Sequence, residues 1–199
     1  MALAHAKTFE RLLAAALSAQ AAVEILSAAE ERCRDLLTAW PGLEAGPRMR
    51  KQVLPTLALY QALILDAHLE KAEALDLLQP VFLETYFGFT RRGLLACNRL
   101  LARLPLHPFP LLRPLIRAMC LAEKETRPEI LVDNARSLIV HSRRCPILEK
   151  LSEMGAPELI LLFCASDDWL AGAMPGVRWR RTTTLARGGD HCDFDWERE

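Results

Sequence analysis

The hydrophobic periodicity of this chain changes about two thirds of the way along, near Glu129. Before that point, apolar residues recur at the three- and four-residue spacing of helices, and after it short β-branched and aromatic runs are typical of strands. Helices followed by strands predict an α+β protein with a small antiparallel sheet. We expect a helical region over 1–130, with 1–45 as an extension, packed on a C-terminal α+β region over 131–199 in one compact domain.

Prolines divide the helical region. A first helix is predicted over 6–40, and the Pro-Gly pair that follows at 41–42 should end it. A second helix should begin near Thr56, directly after a proline. A third is predicted over 69–86, and Pro80 should bend or break it.

The next segment, Phe87–Leu121, is basic. It contains six arginines and no acidic residue: Arg91, Arg92, Arg99, Arg103, Arg113 and Arg117. Its prolines predict one helix before Leu104 and another from about Leu111. We interpret the arginines as solvated helix faces or as partners of the acidic residues in the third helix. An anionic partner, a lipid surface and a phosphate-bearing substrate are the alternatives.

The C-terminal region begins with a predicted strand over 137–142, a β-branched apolar run bounded by polar residues. A short helix follows over 147–154, and Gly155 ends it. The apolar run at 157–164 suits either a buried strand or a buried helix, and we favour a helix because it starts at Pro157.

The clearest predicted strand is Val177–Leu185, in which Arg181 shares one side with Trp179. A Gly-Gly turn at 188–189 and a second strand over 192–196 complete a C-terminal β-hairpin.

The bulk composition excludes several classes of protein. Lys plus Arg and Asp plus Glu each number 25, so no net field attracts nucleic acid, and 51% hydrophobic residues indicate a folded core. No window approaches the roughly eighteen uncharged apolar residues of a membrane span, and no secretory signal is recognisable. We therefore expect a cytoplasmic protein whose six cysteines, with no CxxC pair, are reduced thiols.

Chemically competent side chains are dense in the last third of the chain, although no common catalytic string is present. Cys164 ends an apolar run three residues before Asp167, a position that suits a nucleophile with a nearby base. A buried structural cysteine is the alternative. His191 suits a general base oriented by a neighbouring carboxylate, and equally a turn histidine without a catalytic role.

Two further interpretations concern charge and metal. An inward-facing Arg181 would bind a substrate carboxylate in bidentate fashion, or pair internally with Asp167 or Asp193. A zinc site is the weaker alternative to a site without cofactor, because its ligands would lack the usual close pairs: Cys145, Cys164, His191 and Cys192.

Several motifs follow one another in this region. In order they are Cys145 before a short helix, Gly155-Ala-Pro-Glu-Leu159, Cys164-Ala-Ser-Asp167, Trp179-Arg-Arg-Thr-Thr-Thr184 and Gly188-Gly-Asp-His-Cys-Asp-Phe194. Together they resemble the L-2-amino-thiazoline-4-carboxylic acid hydrolase family, with a weaker likeness over 54–78. Asp195 departs from the family pattern, in which a basic or polar residue is more usual.

The resemblance implies hydrolytic opening of a cyclic amidine, which gives N-carbamoyl-L-cysteine in the named activity. It implies a hydrolase acting on carbon–nitrogen bonds other than peptide bonds, or a related step in specialised metabolism. The catalytic residues it implies are Cys164, Asp167, His191, Cys192 and Asp193. The residues it implies for binding a small carboxylate substrate are Cys145, Arg181, Thr182 and Thr184.

A different class of function uses the same residues. The pocket would then hold a small ligand without turnover, in a sensor or scaffold protein. In either case the exposed apolar faces of the first helix favour a homodimer.

Overall fold

The computed structural model describes residues 5–40, 46, 48–101 and 107–199, and within these it contains seven α-helices and four β-strands. The helices are α1 (Ala6–Ala16), α2 (Ala19–Ala39), α3 (Leu54–Leu65), α4 (Lys71–Leu101), α5 (Phe109–Ala122), α6 (Pro146–Glu153) and α7 (Ile160–Ala171). The strands are β1 (Pro128–Asp133), β2 (Ser137–Ser142), β3 (Val177–Arg180) and β4 (Cys192–Arg198). All four strands follow α5, which confirms the predicted α+β class.

The chain divides into two compact units, Met1–Gly88 and Phe89–Glu199. The first unit holds α1 to α3 and the first part of α4, and the second holds the sheet with α5 to α7. One compact domain divided at residue 130 stays a prediction.

In the first unit, the predicted single helix over 6–40 is wrong, because two helices meet at Ser18. The Ser18 hydroxyl accepts the backbone N–H of Ala21 at 3.1 Å and so caps the start of α2. The α3 helix is buried from Leu54 through Tyr60, which explains its almost unbroken run of apolar residues.

The predicted break at Pro80 is also wrong, since α4 runs through this residue. Pro80 is exposed, whereas the buried side of α4 carries Leu78, Val81 and Phe82 on either side of it. Burial of those side chains offsets the single backbone hydrogen bond that a proline removes. The Pro-Gly pair at 41–42, predicted to end the first helix, lies outside the described residues. So do residues 102–106, where the helix before Leu104 is predicted to end.

The sheet of the second unit has the strand order β1-β2-β4-β3, and every neighbouring pair is antiparallel. The predicted strand over 137–142 and the C-terminal hairpin are confirmed. The predicted strand over 177–185 is too long, because β3 ends at Arg180. β1 was not predicted from the sequence.

The helices of this unit follow the predictions closely. α6 ends before Gly155, whose φ of 73° stops the helix. The ambiguous run from Pro157 is a 3₁₀ turn that leads into α7, so the helical interpretation is confirmed.

The two faces of the sheet differ chemically. One face packs Leu138, Val140 and Trp196 against α5 through Phe109 and Ile116. The opposite face carries the residues that alternate with these along the strands, and polar groups dominate it: His141, Asp193, Asp195 and Arg180. None of the helices in the described ranges is long and apolar enough to cross a membrane.

Candidate active site

Arg181 lies directly after β3 and is held by α7. Its side chain is only 7% exposed. Its Nη2 donates to the backbone oxygen of Cys164 at 2.8 Å and to Asp168 Oδ2 at 2.6 Å, while Nη1 donates to Asp167 Oδ2 at 3.2 Å. A buried guanidinium requires such partners. The internal salt bridge therefore exists with Asp167, and Asp168 is a partner that the sequence interpretation did not assign.

Helical spacing explains why α7 presents this set. Asp167 follows Cys164 by three residues and Asp168 by four, so the three side chains share one side of the helix. Asp168 also accepts the indole N–H of Trp179 at 2.9 Å. The carboxylates of α7 thus bind both Arg181 and the aromatic residue two positions before it.

Three cysteines from separate elements lie within electrostatic range of one another and of Arg181. Burial raises the pKa of Cys164 to about 12; Arg181 opposes this rise, and Asp167, Cys192 and Cys145 add to it. These groups therefore lie within the range of electrostatic interaction of one thiol, and Arg181 also bonds the backbone of Cys164 directly. We call this set the thiol–arginine cluster: Cys145, Cys164, Asp167, Arg181 and Cys192.

Cys192 is the cluster member contributed by the sheet. Burial raises the pKa of its thiol, and the backbone N–H of Leu185, which donates to Sγ at 3.3 Å, partly counteracts the rise. Both Cys164 and Cys192 are therefore neutral thiols near pH 7. A thiol becomes a strong nucleophile only when a base removes its proton.

Asp193 shapes the loop that follows β3. Its carboxylate accepts the backbone N–H groups of Thr182 at 2.9 Å and Thr183 at 2.7 Å, and the Thr182 hydroxyl at 2.7 Å. Burial alone would raise the pKa of Asp193, but these hydrogen bonds outweigh it and hold the pKa below its ordinary value. These bonds occupy the N–H groups of Thr182 and Thr183, which then cannot donate to carbonyl oxygens of β4, and this explains why β3 is shorter than predicted.

Thr184 completes the loop. Its side chain is buried, and its hydroxyl has no hydrogen-bond partner within the described ranges. Its carbonyl oxygen accepts the N–H groups of Arg187 and Gly189, which closes the turn of the predicted Gly-Gly pair.

His191 belongs to a different group of side chains. Its ring stacks on His141 with the centroids 4.0 Å apart, and its Nδ1 lies 2.5 Å from Asp190 Oδ1. The hydrogen bond to His191 lowers the pKa of Asp190. Because His141 pairs with Asp193 across β2 and β4, the stacked histidines lie on the opposite face from Cys192.

The structure therefore separates residues that the sequence places side by side. His191 stacks on His141 outside the thiol–arginine cluster, although it is adjacent to Cys192 in sequence. His141 was missed because only the register between two strands reveals its place.

A family model described as L-2-amino-thiazoline-4-carboxylic acid hydrolase matches residues 46–196, well over half of the chain. The chain belongs to this family. The resemblance seen in the C-terminal motifs is thus confirmed, and the match to the hydrolase family extends upstream through α3 and α4. No curated protein matches the chain significantly.

Within the described part of the hydrolase-family match, no metal centre is apparent. Among the described residues, no group of three or more His, Cys, Asp or Glu side chains is arranged to hold a metal ion.

A cavity of about 160 Å³ lies within the first unit and includes no candidate residue; its lining is Arg32, Asp35, Leu36, Ala39 and Gln61. The candidate site is accordingly defined by its chemical groups, not by this cavity.

Proposed function

We propose that this member of the L-2-amino-thiazoline-4-carboxylic acid hydrolase family opens a cyclic amidine that carries a carboxylate, at the thiol–arginine cluster. The observation that carries the proposal is the bonding of Arg181 to Cys164 and Asp167 of α7, within electrostatic range of Cys145 and Cys192, by residues that resemble the family motifs. L-2-amino-thiazoline-4-carboxylate is the first substrate to test.

The reaction requires a nucleophile at the amidine carbon, a proton for the leaving group and a cation for the carboxylate. In the thiazoline, the oxygen of water becomes bonded to that carbon and the ring carbon–sulfur bond breaks. The sulfur leaves as a thiol, and both nitrogens remain in the N-carbamoyl-cysteine product. A sulfur-free cyclic amidine would instead lose its ring nitrogen from the same carbon.

Cys164 is the proposed nucleophile. Asp167 removes its proton, and the thiolate attacks the amidine carbon and expels the ring sulfur, which takes up a proton. Water then adds to the enzyme-bound isothiourea, and Cys164 leaves as the thiol. Each atom of substrate and water is found in the product, and no oxidant or reductant is required.

Arg181 connects substrate binding to this step. Both of its terminal nitrogens are already hydrogen-bonded to acceptors on α7. A substrate carboxylate that binds the guanidinium competes with Asp167 and Asp168, whose side chains are both partly exposed. Displacement of Asp167 from Arg181 would free it to accept the thiol proton of Cys164.

The test measures product by mass spectrometry after incubation of the purified full chain with the thiazoline. We expect Cys164→Ser to lose roughly 100-fold or more of kcat. Cys97→Ser is the matched control because Cys97 is exposed on α4, and it should retain full activity. Activity of Cys164→Ser close to that of wild type would remove this thiol from the reaction, and a trapped adduct heavier by one substrate would support covalent attack.

Ligand binding without turnover is the second candidate. It is favoured by the neutral thiols of Cys164 and Cys192 and by the internal pairing of Arg181. Saturable binding of the thiazoline by calorimetry, with no product after prolonged incubation, would support this function and overturn the hydrolase proposal.

A further inference from the structure

The second half of α4 exposes a row of apolar and small residues. Phe89 begins the row and is 86% exposed, and Leu100 ends it three turns later, also exposed. The residues between them on the same side are exposed as well: Gly93, Ala96 and Cys97. These positions recur every three or four residues, so they form one face of the helix.

The next helix exposes a second apolar row. On α5, Leu111 is 70% exposed, and Leu115 and Met119 follow at four-residue intervals. The other side of α5 is buried, through Phe109 and Ile116, in the core of the second unit. A helix that is apolar on both sides, with only one side covered within its own unit, has a face suited to another apolar phase.

The charge of this segment identifies the kind of surface that would cover the two rows. Phe87–Leu121 has six arginines and no acidic residue in a chain whose formal net charge is zero. Arg113 and Arg117 share a single carboxylate, that of Asp133. Arg91 lies over the ring of Trp169, 4.7 Å from its centroid, a contact that leaves its positive charge in place.

Two arginines of α4 lie beside its apolar row. Helical spacing places Arg92 and Arg99 along one edge of the face that runs from Phe89 to Leu100. Arginine beside an exposed apolar stripe is the arrangement of helices that lie in the interface of a membrane, where the guanidinium meets lipid phosphate.

We propose that the exposed rows of α4 and α5 bind the surface of a membrane that contains anionic lipid. The helices would lie in the interface and not span it, in keeping with the absence of a spanning helix from the described part of the chain. A second copy of the chain fits less well. A two-fold interface brings the same surface of both copies together. The basic segment Phe87–Leu121 of one copy would then face the same basic segment of the other, and like charges repel.

The experiment is co-sedimentation of the purified full chain with vesicles of phosphatidylcholine alone or mixed with phosphatidylglycerol. We expect binding to the mixed vesicles only, weaker at about 0.5 M salt than at about 0.05 M salt because ions screen the arginines. The charge variant Arg92→Gln with Arg99→Gln should bind the mixed vesicles more weakly by roughly five-fold per arginine.

Apolar variants test each row separately. Phe89→Ser with Leu100→Ser alters the α4 row, and Leu111→Ser with Met119→Ser alters the α5 row; each should bind at least several-fold more weakly. The matched control, Leu65→Ser with Leu131→Ser, changes exposed apolar residues outside both rows and should bind like wild type.

Circular dichroism would establish that every variant is folded before binding is compared. No binding to mixed vesicles, equal binding to both vesicle types, or wild-type binding by both row variants would overturn the proposal. Loss of a dimer in the row variants without any vesicle binding would assign the rows to a second copy and overturn it as well.

Discussion

Replacing Arg181 with methionine would remove a buried charge and leave Asp167 and Asp168 without their shared partner. We expect the free energy of unfolding to fall by about 2 kcal/mol, less than for a fully buried pair because solvent screens the partly exposed carboxylates. Urea unfolding measures this. Arg178→Met, at an exposed position of β3, is the control and should change stability by less than about 0.5 kcal/mol. Equal effects of the two substitutions would contradict a special role for the buried guanidinium.

A second prediction at this scale concerns pH. The pKa of Asp193 in the folded protein lies below its ordinary value, so the carboxylate stabilises the fold fully above the unfolded pKa of about 3.9. That contribution is lost as pH falls through the folded pKa. We expect Asp193→Asn to be less stable than wild type near neutral pH, by about 1.5–3 kcal/mol for hydrogen bonds to a charged group.

The difference between wild type and Asp193→Asn should then shrink as urea unfolding is repeated below about pH 4. Glu10→Gln, which removes an exposed carboxylate of α1, provides the control and should show little difference at either pH. A gap that stays constant on acidification would mean that ionisation of Asp193 does not stabilise the loop.

Single residues also show how far the candidate site could be predicted. The sequence indicated Cys164, Asp167 and Arg181 because they lie at the ends of recognisable elements and belong to the family motifs. It could not assign His191 to the opposite face of the sheet. That placement depends on stacking with His141, and hence on the pairing of β2 with β4, a contact between residues far apart in sequence.

At the scale of elements, the cap of α2 gives a third prediction. Ser18→Ala removes the side-chain acceptor for the backbone N–H of Ala21. We expect a loss of about 1 kcal/mol in unfolding free energy. Ser27→Ala, at an exposed position in the interior of the same helix, should be neutral or slightly stabilising. If both substitutions behaved alike in thermal unfolding, the boundary between α1 and α2 would not depend on the cap.

The turn before β4 gives a fourth prediction, on the effect of a methyl group at Gly189. A Cβ added at Gly189 would clash with Thr183 Oγ1 and come within 3.0 Å of the carbonyl oxygen of Thr184. Gly189→Ala should therefore displace the Thr182–Thr184 loop and cost about 1–3 kcal/mol. Gly93→Ala, where a Cβ meets nothing within 4 Å, should be stabilising by up to about 1 kcal/mol in the helix. Similar denaturation curves for the two variants would show that the loop accommodates the methyl group.

Prediction of elements from sequence succeeded where a local pattern decides and failed where distant contacts do. α6 and its stop at Gly155 follow from local spacing. The length of β3 does not, because Asp193 on the neighbouring strand captures the backbone of the loop after it. Pro80 was misleading for the same reason: burial along the other side of α4 outweighs a local helix breaker.

At the scale of the whole molecule, the predicted homodimer through the first helices remains a prediction. Val23 on α2 is an exposed apolar residue that such an interface would use. We expect Val23→Ser to shift the chain from dimer to monomer in sedimentation equilibrium at micromolar concentration, whereas Ser27→Ala should leave its mass unchanged. A monomeric wild-type chain would remove the predicted dimer.

The alternation of β4 has a consequence for how this protein can change. Adjacent residues of this strand act on opposite faces of the sheet. Cys192 belongs to the thiol–arginine cluster on one face, and Asp193 on the other face binds the backbone of the loop after β3. A substitution that adjusts one side therefore disturbs the other, and neither can drift independently.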